Sequence, residues 1–189
     1  MFEGPDVLIE TDRLLLRDVT EQDTQLVYQL YSLPESSRYE YWSPVDAAKT
    51  KRIVSKWIRE QYQKPRPAFH IMVLLKETKS MVGICGLEIG FNPDEAGKIG
   101  NVGYRYFPDE WNKGYATEAL CGVVEFAFSY LGLHKIESGC VKENRASSRV
   151  LEKSGFQLEG CRRQGFLIGN QWHDFVIYGI LKKDKGYYC

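Results

Sequence analysis

The loop that joins an apolar stretch to a helix pattern within residues 101–119 holds the side chains best suited to chemistry. Lys113 and Gly114 lie in this loop, and the helix pattern begins directly after them. The first N–H groups of a helix have no intrahelical partner and lie at the positive end of the helix dipole, so the arrangement suits a phosphate or a pyrophosphate. Gly114 allows close approach of the backbone, Lys113 adds charge, and Thr117 offers a hydroxyl. The alternative is that Gly114 only turns the chain from a strand into a helix.

Hydrophobic periodicity predicts the elements that must position this loop. The predicted strands cover residues 7–17, 69–76, 81–91, 99–107, 133–141, 156–166 and 172–181, and the predicted helices cover residues 20–31, 46–62, 114–130 and 144–154. Turn residues between the second, third and fourth strands indicate an antiparallel meander, and Gly169-Asn170 indicates a final hairpin. The predicted order is therefore β-α-α-β-β-β-α-β-α-β-β.

Composition predicts one folded domain, residues 1–189, in the cytoplasm. Apolar residues make up 43% of the chain and charged residues 26%, and no apolar run is long enough for a membrane span. The first six residues lack the basic start and apolar stretch of a secretory signal. Basic and acidic residues number 25 each, so the chain lacks the basic field that non-specific nucleic-acid binding needs. The five cysteines include no C-x-x-C pair and the histidines do not cluster, so no metal site is expected.

Several spaced motifs resemble the GNAT superfamily of acetyltransferases. WNKGYATEA, at residues 111–119, is similar to its acetyl-CoA loop, usually written Q/R-x-x-G-x-G/A, with Trp111 at the first position. TDRLLLR (11–17), VGYRYFPDEW (102–111), LGLHKIES (131–138) and NRASSRVLEKSGF (144–156) are similar to the RimJ/RimL-type branch, the ribosomal-protein N-terminal acetyltransferases. The match covers about residues 7–181, and the order of predicted elements agrees with it.

The resemblance implies an α/β (α+β) GNAT fold with a mixed, mostly antiparallel seven-stranded sheet that splays between strands four and five. It implies acetyl-CoA as co-substrate, with the pantetheine arm in that gap and no metal. The arm would pair with backbone near Tyr106 and Phe107 and bond to Asn144. The pyrophosphate would lie on the loop at Asn112, Lys113, Gly114, Tyr115, Ala116 and Thr117.

The implied reaction is transfer of the acetyl group to a primary amine, by direct attack in a ternary complex. A backbone N–H of the splayed strand would stabilise the thioester oxygen as charge grows on it. The resemblance nominates Ser147 as the residue that meets the departing thiolate. The alternative for Ser147 is ordinary capping of the first helical turn after Asn144.

The proton of the acceptor ammonium must also be removed, since an α-amine titrates near ~8 and a lysine near ~10.4. Many relatives carry a glutamate two residues before the Gly-Tyr pair, where this chain has Asn101. An amide cannot accept the proton, so the base lies elsewhere, water carries the proton to bulk, or Asn101 orients the substrate. The replacement candidates are Glu88, for which a solvated strand face is the alternative, and His173 or Asp174.

The remaining two histidines, His70 and His134, are expected to pack within strands rather than to act in catalysis.

The acceptor is expected to be a protein N-terminus or a small amine. Tyr39, Tyr41 and Trp42 lie where the family places one wall of the acceptor site, and core packing is the equal alternative. Because of Asn101, a CoA-binding module with impaired catalysis remains the rival class of function. The expected assembly is a monomer or a homodimer.

Overall fold

The computed structural model describes residues 7–40, 44–91 and 98–184. The strands are β1 (Val7–Glu10), β2 (Leu14–Asp18), β3 (Ala68–Leu75), β4 (Met81–Phe91), β5 (Lys98–Tyr106), β6 (Lys135–Val141), β7 (Gln157–Ile168) and β8 (Gln171–Leu181). The helices are α1 (Thr24–Tyr31), α2 (Pro34–Ser37), α3 (Ala47–Gln61), α4 (Tyr115–Ser129) and α5 (Arg145–Lys153). Within these residues one sheet has the spatial order β1-β2-β3-β4-β5-β6-β8-β7, and only β5 and β6 pair in parallel.

The predicted first strand, residues 7–17, is two strands, so the described sheet has eight strands rather than seven. β1 and β2 pair antiparallel around Thr11. The Thr11 N–H donates to the Leu14 carbonyl at 3.0 Å, and the Leu14 N–H donates to the Thr11 hydroxyl at 3.1 Å. A threonine side chain that bonds nearby backbone offers the chain a turn in place of a ladder. Residues 10–13 are polar and span this turn, whereas the Leu and Ile content of residues 7–17 as a whole predicts a single strand.

The other predicted elements are largely confirmed. α3, α4 and α5 begin and end within one residue of their predicted bounds, and the meander of β3, β4 and β5 and the hairpin of β7 and β8 are present. The predicted helix at residues 20–31 differs, because a 3₁₀ turn at Glu21–Asp23 precedes α1. The Asp23 carboxylate accepts the Thr20 N–H at 2.7 Å and the Arg17 guanidinium at 2.7 Å, which anchors this turn to β2.

Helices cover both faces of the central strands. In β3, Phe69, Ile71 and Val73 belong to the core under α4 and α5, whereas Met72 and Leu74 belong to the core under α1 and α3. Successive side chains of a strand point to opposite faces, so β3 is apolar on both. The same alternation divides β5, whose residues Val102, Tyr104 and Tyr106 face α4 and α5 and whose residues Asn101, Gly103 and Arg105 face the other side.

The predicted splay between the fourth and fifth predicted strands, now β5 and β6, is confirmed. Their pairing runs from Ile99 opposite Lys135 to Asn101 opposite Glu137 and then ends, although β5 continues to Tyr106. At the vertex the Ser138 hydroxyl donates to the Val102 carbonyl at 2.8 Å. The two strands therefore enclose a V-shaped gap that opens beyond Val102.

Candidate active site

The edge of β5 presents backbone groups to the gap. The Phe107 N–H donates to the Val82 carbonyl of β4 at 3.1 Å. In an antiparallel ladder every second residue bonds to the same neighbouring strand, so the backbone groups of Val102, Tyr104 and Tyr106 face away from β4. Two carbonyls on that edge are bonded, that of Val102 to Ser138 and that of Tyr106 to the Trp111 indole N–H at 3.0 Å. The backbone of Tyr104 lies between them on the open part of the edge. It can bond an extended arm or a thioester oxygen, whereas the Phe107 N–H points to β4.

The loop before α4 has the geometry of an anion cradle. Asn112 and Gly114 have positive φ angles of 61° and 83°, and Gly114 caps α4. The first intrahelical bond runs from the Glu118 N–H to the Gly114 carbonyl at 3.0 Å, so the N–H groups of residues 115–117 precede the helical ladder. Such groups, together with the helix dipole, bind phosphate oxygens. The predicted loop residues are therefore brought together, and they fit the pyrophosphate of CoA.

Arg13, in the turn before β2, contacts this loop, and the sequence pattern does not identify it. Its Nη1 donates to the Lys113 carbonyl at 3.1 Å, and its Nε donates to the Glu118 carboxylate at 2.7 Å. Burial raises the pKa of Glu118, but hydrogen bonds from Thr11 and Arg13 outweigh it, and the pKa lies below its ordinary value. The Lys113 ammonium itself lies 3.0 Å from Glu110. Arg13 thus adds a second cation beside the cradle, and the TDRLLLR motif was its only signal in the sequence.

Ser147 lies in the first turn of α5, where the cap and the hydroxyl have separate partners. The Asn144 side chain accepts the Ser147 N–H at 3.2 Å and is the capping group. The Ser147 hydroxyl instead lies 3.0 Å from the Tyr104 hydroxyl, which also donates to the Ser147 carbonyl at 3.1 Å. Burial raises the pKa of Tyr104 far above its ordinary value, so the phenol stays protonated. Sequence reasoning missed Tyr104, because its contact with Ser147 joins residues 43 positions apart.

A cleft of ≈ 280 Å³ lies on the opposite face of the sheet. Asn101 and Glu88 are direct cross-strand partners in its wall. Gly86 and Gly103, also cross-strand partners, leave its floor without side chains. The remaining lining residues come from the helical side and neighbouring strands: Tyr31, Glu40, Trp57, His70, Ile84, Tyr104 and Arg105. The acceptor-side candidates Asn101 and Glu88 therefore do share one site.

An ion pair closes one end of this cleft. Arg105 donates to the Glu40 carboxylate at 2.9 Å and to the Ser36 carbonyl at 3.0 Å, and its guanidinium lies 4.4 Å from the Tyr31 ring centroid. Burial raises the pKa of Glu40, and Arg105 opposes that shift. On β3, beside Gly86 of the floor, the His70 Nε2 lies 2.9 Å from a Glu60 carboxylate oxygen.

The other acceptor-side predictions fall elsewhere. The Arg38 guanidinium lies 5.2 Å from the Tyr39 ring centroid, and Tyr39 does not line the cleft. Tyr41 and Trp42 lie outside the described residues. Tyr31 and Trp57 supply the aromatic wall instead.

Two candidate bases are absent from the cleft lining. Asp174 accepts the Gln164 N–H at 3.0 Å and lies 3.6 Å from Lys142, so it stabilises the last hairpin. His173 lies 3.5 Å from Glu143.

The two histidines expected in strands differ. His134 is exposed just before β6, so its expected packing is wrong. His70 is buried in β3 as expected, yet it also lines the cleft.

Metal-binding clusters and membrane-spanning helices are absent from the described ranges. No group of three or more His, Cys, Asp or Glu residues in 7–40, 44–91 and 98–184 is arranged to hold a metal ion. In the same ranges no helix is long and apolar enough to cross a membrane.

A sheet splayed beside an anion cradle, with a cleft on the far face, fits a CoA-dependent acyltransferase. Residues 13–157 match the family model described as "Acetyltransferase (GNAT) domain", so the chain belongs to the GNAT family. It is an acetyl-CoA-dependent N-acetyltransferase.

Known proteins agree with this assignment. The uncharacterized N-acetyltransferase YoaA of Bacillus subtilis (strain 168) is 31% identical over 93% of this chain and 97% of its own length. The [ribosomal protein uS5]-alanine N-acetyltransferase of Escherichia coli (strain K12) is 24% identical over 95% and 93%. The fold matches spermidine N-acetyltransferase from Vibrio cholerae in complex with CoA and spermine, with a TM-score of 0.78, 21% identity, and coverage of 90% and 96%. The predicted likeness to the RimJ/RimL-type branch is confirmed.

Proposed function

We propose that the protein acetylates a primary amine that enters the cleft at Asn101, by direct attack on acetyl-CoA in a ternary complex. One observation carries this proposal: the gap between β5 and β6 lies between the phosphate cradle at Gly114, on the α4 side of the sheet, and the cleft on the other face. Acetyl-CoA and amine can therefore approach the Tyr104 backbone from opposite faces. Direct attack then requires no acyl-enzyme.

The chain's own groups divide the work at the reacting carbon. The Tyr104 N–H faces the gap and would donate to the thioester oxygen as the amine nitrogen forms its bond to carbon. As the carbon–sulfur bond breaks, the Ser147 hydroxyl would donate to the departing thiolate, while the Tyr104 hydroxyl, 3.0 Å away, donates to the Ser147 carbonyl and holds Ser147 in place. Because burial raises the pKa of Tyr104, the phenol keeps its own proton, and Ser147 stabilises the thiolate by a hydrogen bond.

The favoured acceptor is the α-amine of a peptide. Asn101 provides no carboxylate beside the gap, so an acceptor that is partly neutral has an advantage. At pH 7 an amine with a pKa near ~8 has a roughly 200-fold larger neutral fraction than one with a pKa near ~10.4. The small cleft suits a chain end and its first side chain, and the name of the uS5-alanine acetyltransferase relative describes such an acceptor.

A polyamine is the second candidate, on one specific observation. Glu88 lines the cleft and makes no salt bridge with the rest of the described chain, and Glu40 lies at the far end. Because Glu40 is already paired with Arg105, Glu88 is the carboxylate that would hold the second ammonium group of such an acceptor. The name of the V. cholerae structure describes an acceptor of this kind.

An acceptor panel tests the proposal. Rates of CoA release are measured with a short peptide that has a free α-amine, the same peptide with a blocked α-amine and one lysine, and spermidine. We expect the free α-amine to give the highest kcat/KM. A higher value for spermidine would select the second candidate. CoA binding without turnover of any acceptor would contradict both and favour a CoA-binding module.

A further inference from the structure

His70 occupies a position that its role in the core does not explain. It lies on β3 and is 8% exposed, and its ring stacks on Trp57 with centroids 4.6 Å apart. Its Nε2 is 2.9 Å from a Glu60 carboxylate oxygen on α3. Met72 and Leu74, the next side chains of β3 on this face, are apolar. A paired histidine in that row, with one edge on a substrate cleft, has the arrangement of a functional group.

The bond to Glu60 selects one form of the imidazole. Glu60 is a carboxylate that accepts hydrogen bonds, so neutral His70 carries its proton on Nε2 and donates it there. Nδ1 is then the nitrogen with a free lone pair. An ideal Cβ on Gly86 would lie 3.9 Å from this Nδ1, so Nδ1 lies over the glycine floor of the cleft. The acceptor nitrogen of the ring therefore points to the side from which the amine would come.

The glycine floor gives a path from His70 to the gap. His70 pairs with Gly86, and Gly86 pairs with Gly103 on β5, at the edge of the gap. His70 Nδ1 already lies over Gly86 of β4, so one strand spacing of about 4.8 Å remains to Gly103, and two hydrogen bonds of about 2.8 Å through one water span that distance. An ideal Cβ on Gly103 would meet nothing within 4 Å, so a water has room above this position.

We propose that His70 is the base that takes the acceptor's proton, through a water above Gly86 and Gly103, and that Glu60 is its positioning residue. This inference rests on the proposed function. The ammonium gives one proton to the water, and the water gives one to Nδ1. The neutral amine nitrogen then attacks the thioester carbon. As the carbon–sulfur bond breaks, the nitrogen loses its second proton to the departing CoA thiolate or to solvent. The imidazolium shares its Nε2 proton with Glu60 until it returns the first proton to solvent.

The surroundings of His70 keep it neutral and ready to accept a proton. Burial lowers its pKa below the ordinary 6.5, and it outweighs the opposite effects of Glu60 on α3 and Glu88 on β4. Lys56, also on α3, lowers the pKa further. The Glu40–Arg105 pair at the far end of the cleft is compensated internally. The imidazole is therefore unprotonated at neutral pH, as a base must be.

The test compares three variants of the full chain. His70→Gln removes the base. Glu60→Gln removes the negative charge of residue 60 but keeps an oxygen that accepts the Nε2 hydrogen bond. His134→Gln is the matched control at an exposed histidine. We expect His70→Gln to lower kcat about 100-fold while the Kd for CoA stays within threefold. Glu60→Gln should lower kcat less and shift the acid limb of the pH profile of kcat to lower pH, since Glu60 raises the His70 pKa. His134→Gln should match the wild type.

A kcat of His70→Gln within threefold of the wild type, or an acid limb that survives in this variant, would overturn the proposal. NMR of the histidine nitrogens at pH 7.5 tests it without turnover: protonated Nε2 supports it, and protonated Nδ1 overturns it. This second measurement decides the matter if His70→Gln fails to fold. It also separates the two claims, because a wild-type chain that acetylates no amine contradicts the proposed function, whereas the tautomer tests His70 alone.

Discussion

Gly114→Glu should abolish most of the affinity for CoA and leave the fold intact. The variant places a carboxylate at the start of α4, where the N–H groups of residues 115–117 would meet the pyrophosphate. A unit charge 4 Å from another contributes about 1 kcal/mol in bulk water and about 4 kcal/mol near a protein surface. The loss in affinity is therefore roughly 5-fold to several hundred-fold. The new carboxylate would also attract Arg13, whose Nη2 lies 3.3 Å from an ideal Cβ at this position, and so weaken the second cation of the loop.

Gly169→Glu is the matched control for the backbone. Gly114 has φ of 83° and Gly169 has φ of 57°, and an ideal Cβ at Gly169 meets nothing within 4 Å. A side chain in this left-handed region costs about 1 kcal/mol at either glycine, so both variants should lose similar thermal stability. Isothermal titration with CoA should show the loss of affinity in Gly114→Glu alone. Unchanged affinity in Gly114→Glu, or an equal loss in Gly169→Glu, would refute the assignment of the cradle.

Three further predictions concern the gap and the cleft. Ser147→Ala should lower kcat and leave the Kd for CoA within a few-fold, with little change in melting temperature because Asn144 provides the cap; full turnover would refute its role at the thiolate. Asn101→Glu should raise the rate at neutral pH. Glu88 and Glu137, on the neighbouring strands, would raise the pKa of the new carboxylate toward that of a useful base. An unchanged rate would argue against a base at this position. The pKa of His70 is lower in the folded chain than in the unfolded chain. The stabilisation that neutral His70 gives is therefore complete above pH 6.5 and is lost as the pH falls through the folded-state pKa. Denaturant titrations should show this loss in the wild type and not in His70→Gln.

Local patterns predict where α4 and α5 begin, because the residues that form each helix start are close in sequence. Gly114 and the start of α4 are adjacent, and Asn144 and Ser147 are three residues apart. Capping and helix signals act over such distances. The turn at Thr11 does not emerge from the sequence pattern, because the Leu and Ile content of residues 7–17 outweighs the polar residues 10–13, and hydrophobic periodicity does not register a bond between one side chain and nearby backbone.

The acceptor cleft was predicted only in part, because its walls come from distant segments. The family resemblance identifies Asn101, at a position where many relatives have a glutamate, and Glu88 is identified as a carboxylate on the preceding predicted strand. The sequence predicts only packing for His70, because its partner Glu60 lies on α3 and the orientation of a helix on a sheet cannot be read from periodicity. Arg13 and Tyr104 likewise act through contacts with residues 105 and 43 positions away.

The most direct test of the central claim is the initial-rate pattern of the wild-type chain with acetyl-CoA and a free α-amine peptide, together with the mass of the peptide product. Direct transfer in a ternary complex predicts reciprocal plots that intersect and a peptide that gains one acetyl group on its α-amine. Parallel plots, which report an acyl-enzyme, or CoA release without an acetylated peptide, would contradict it.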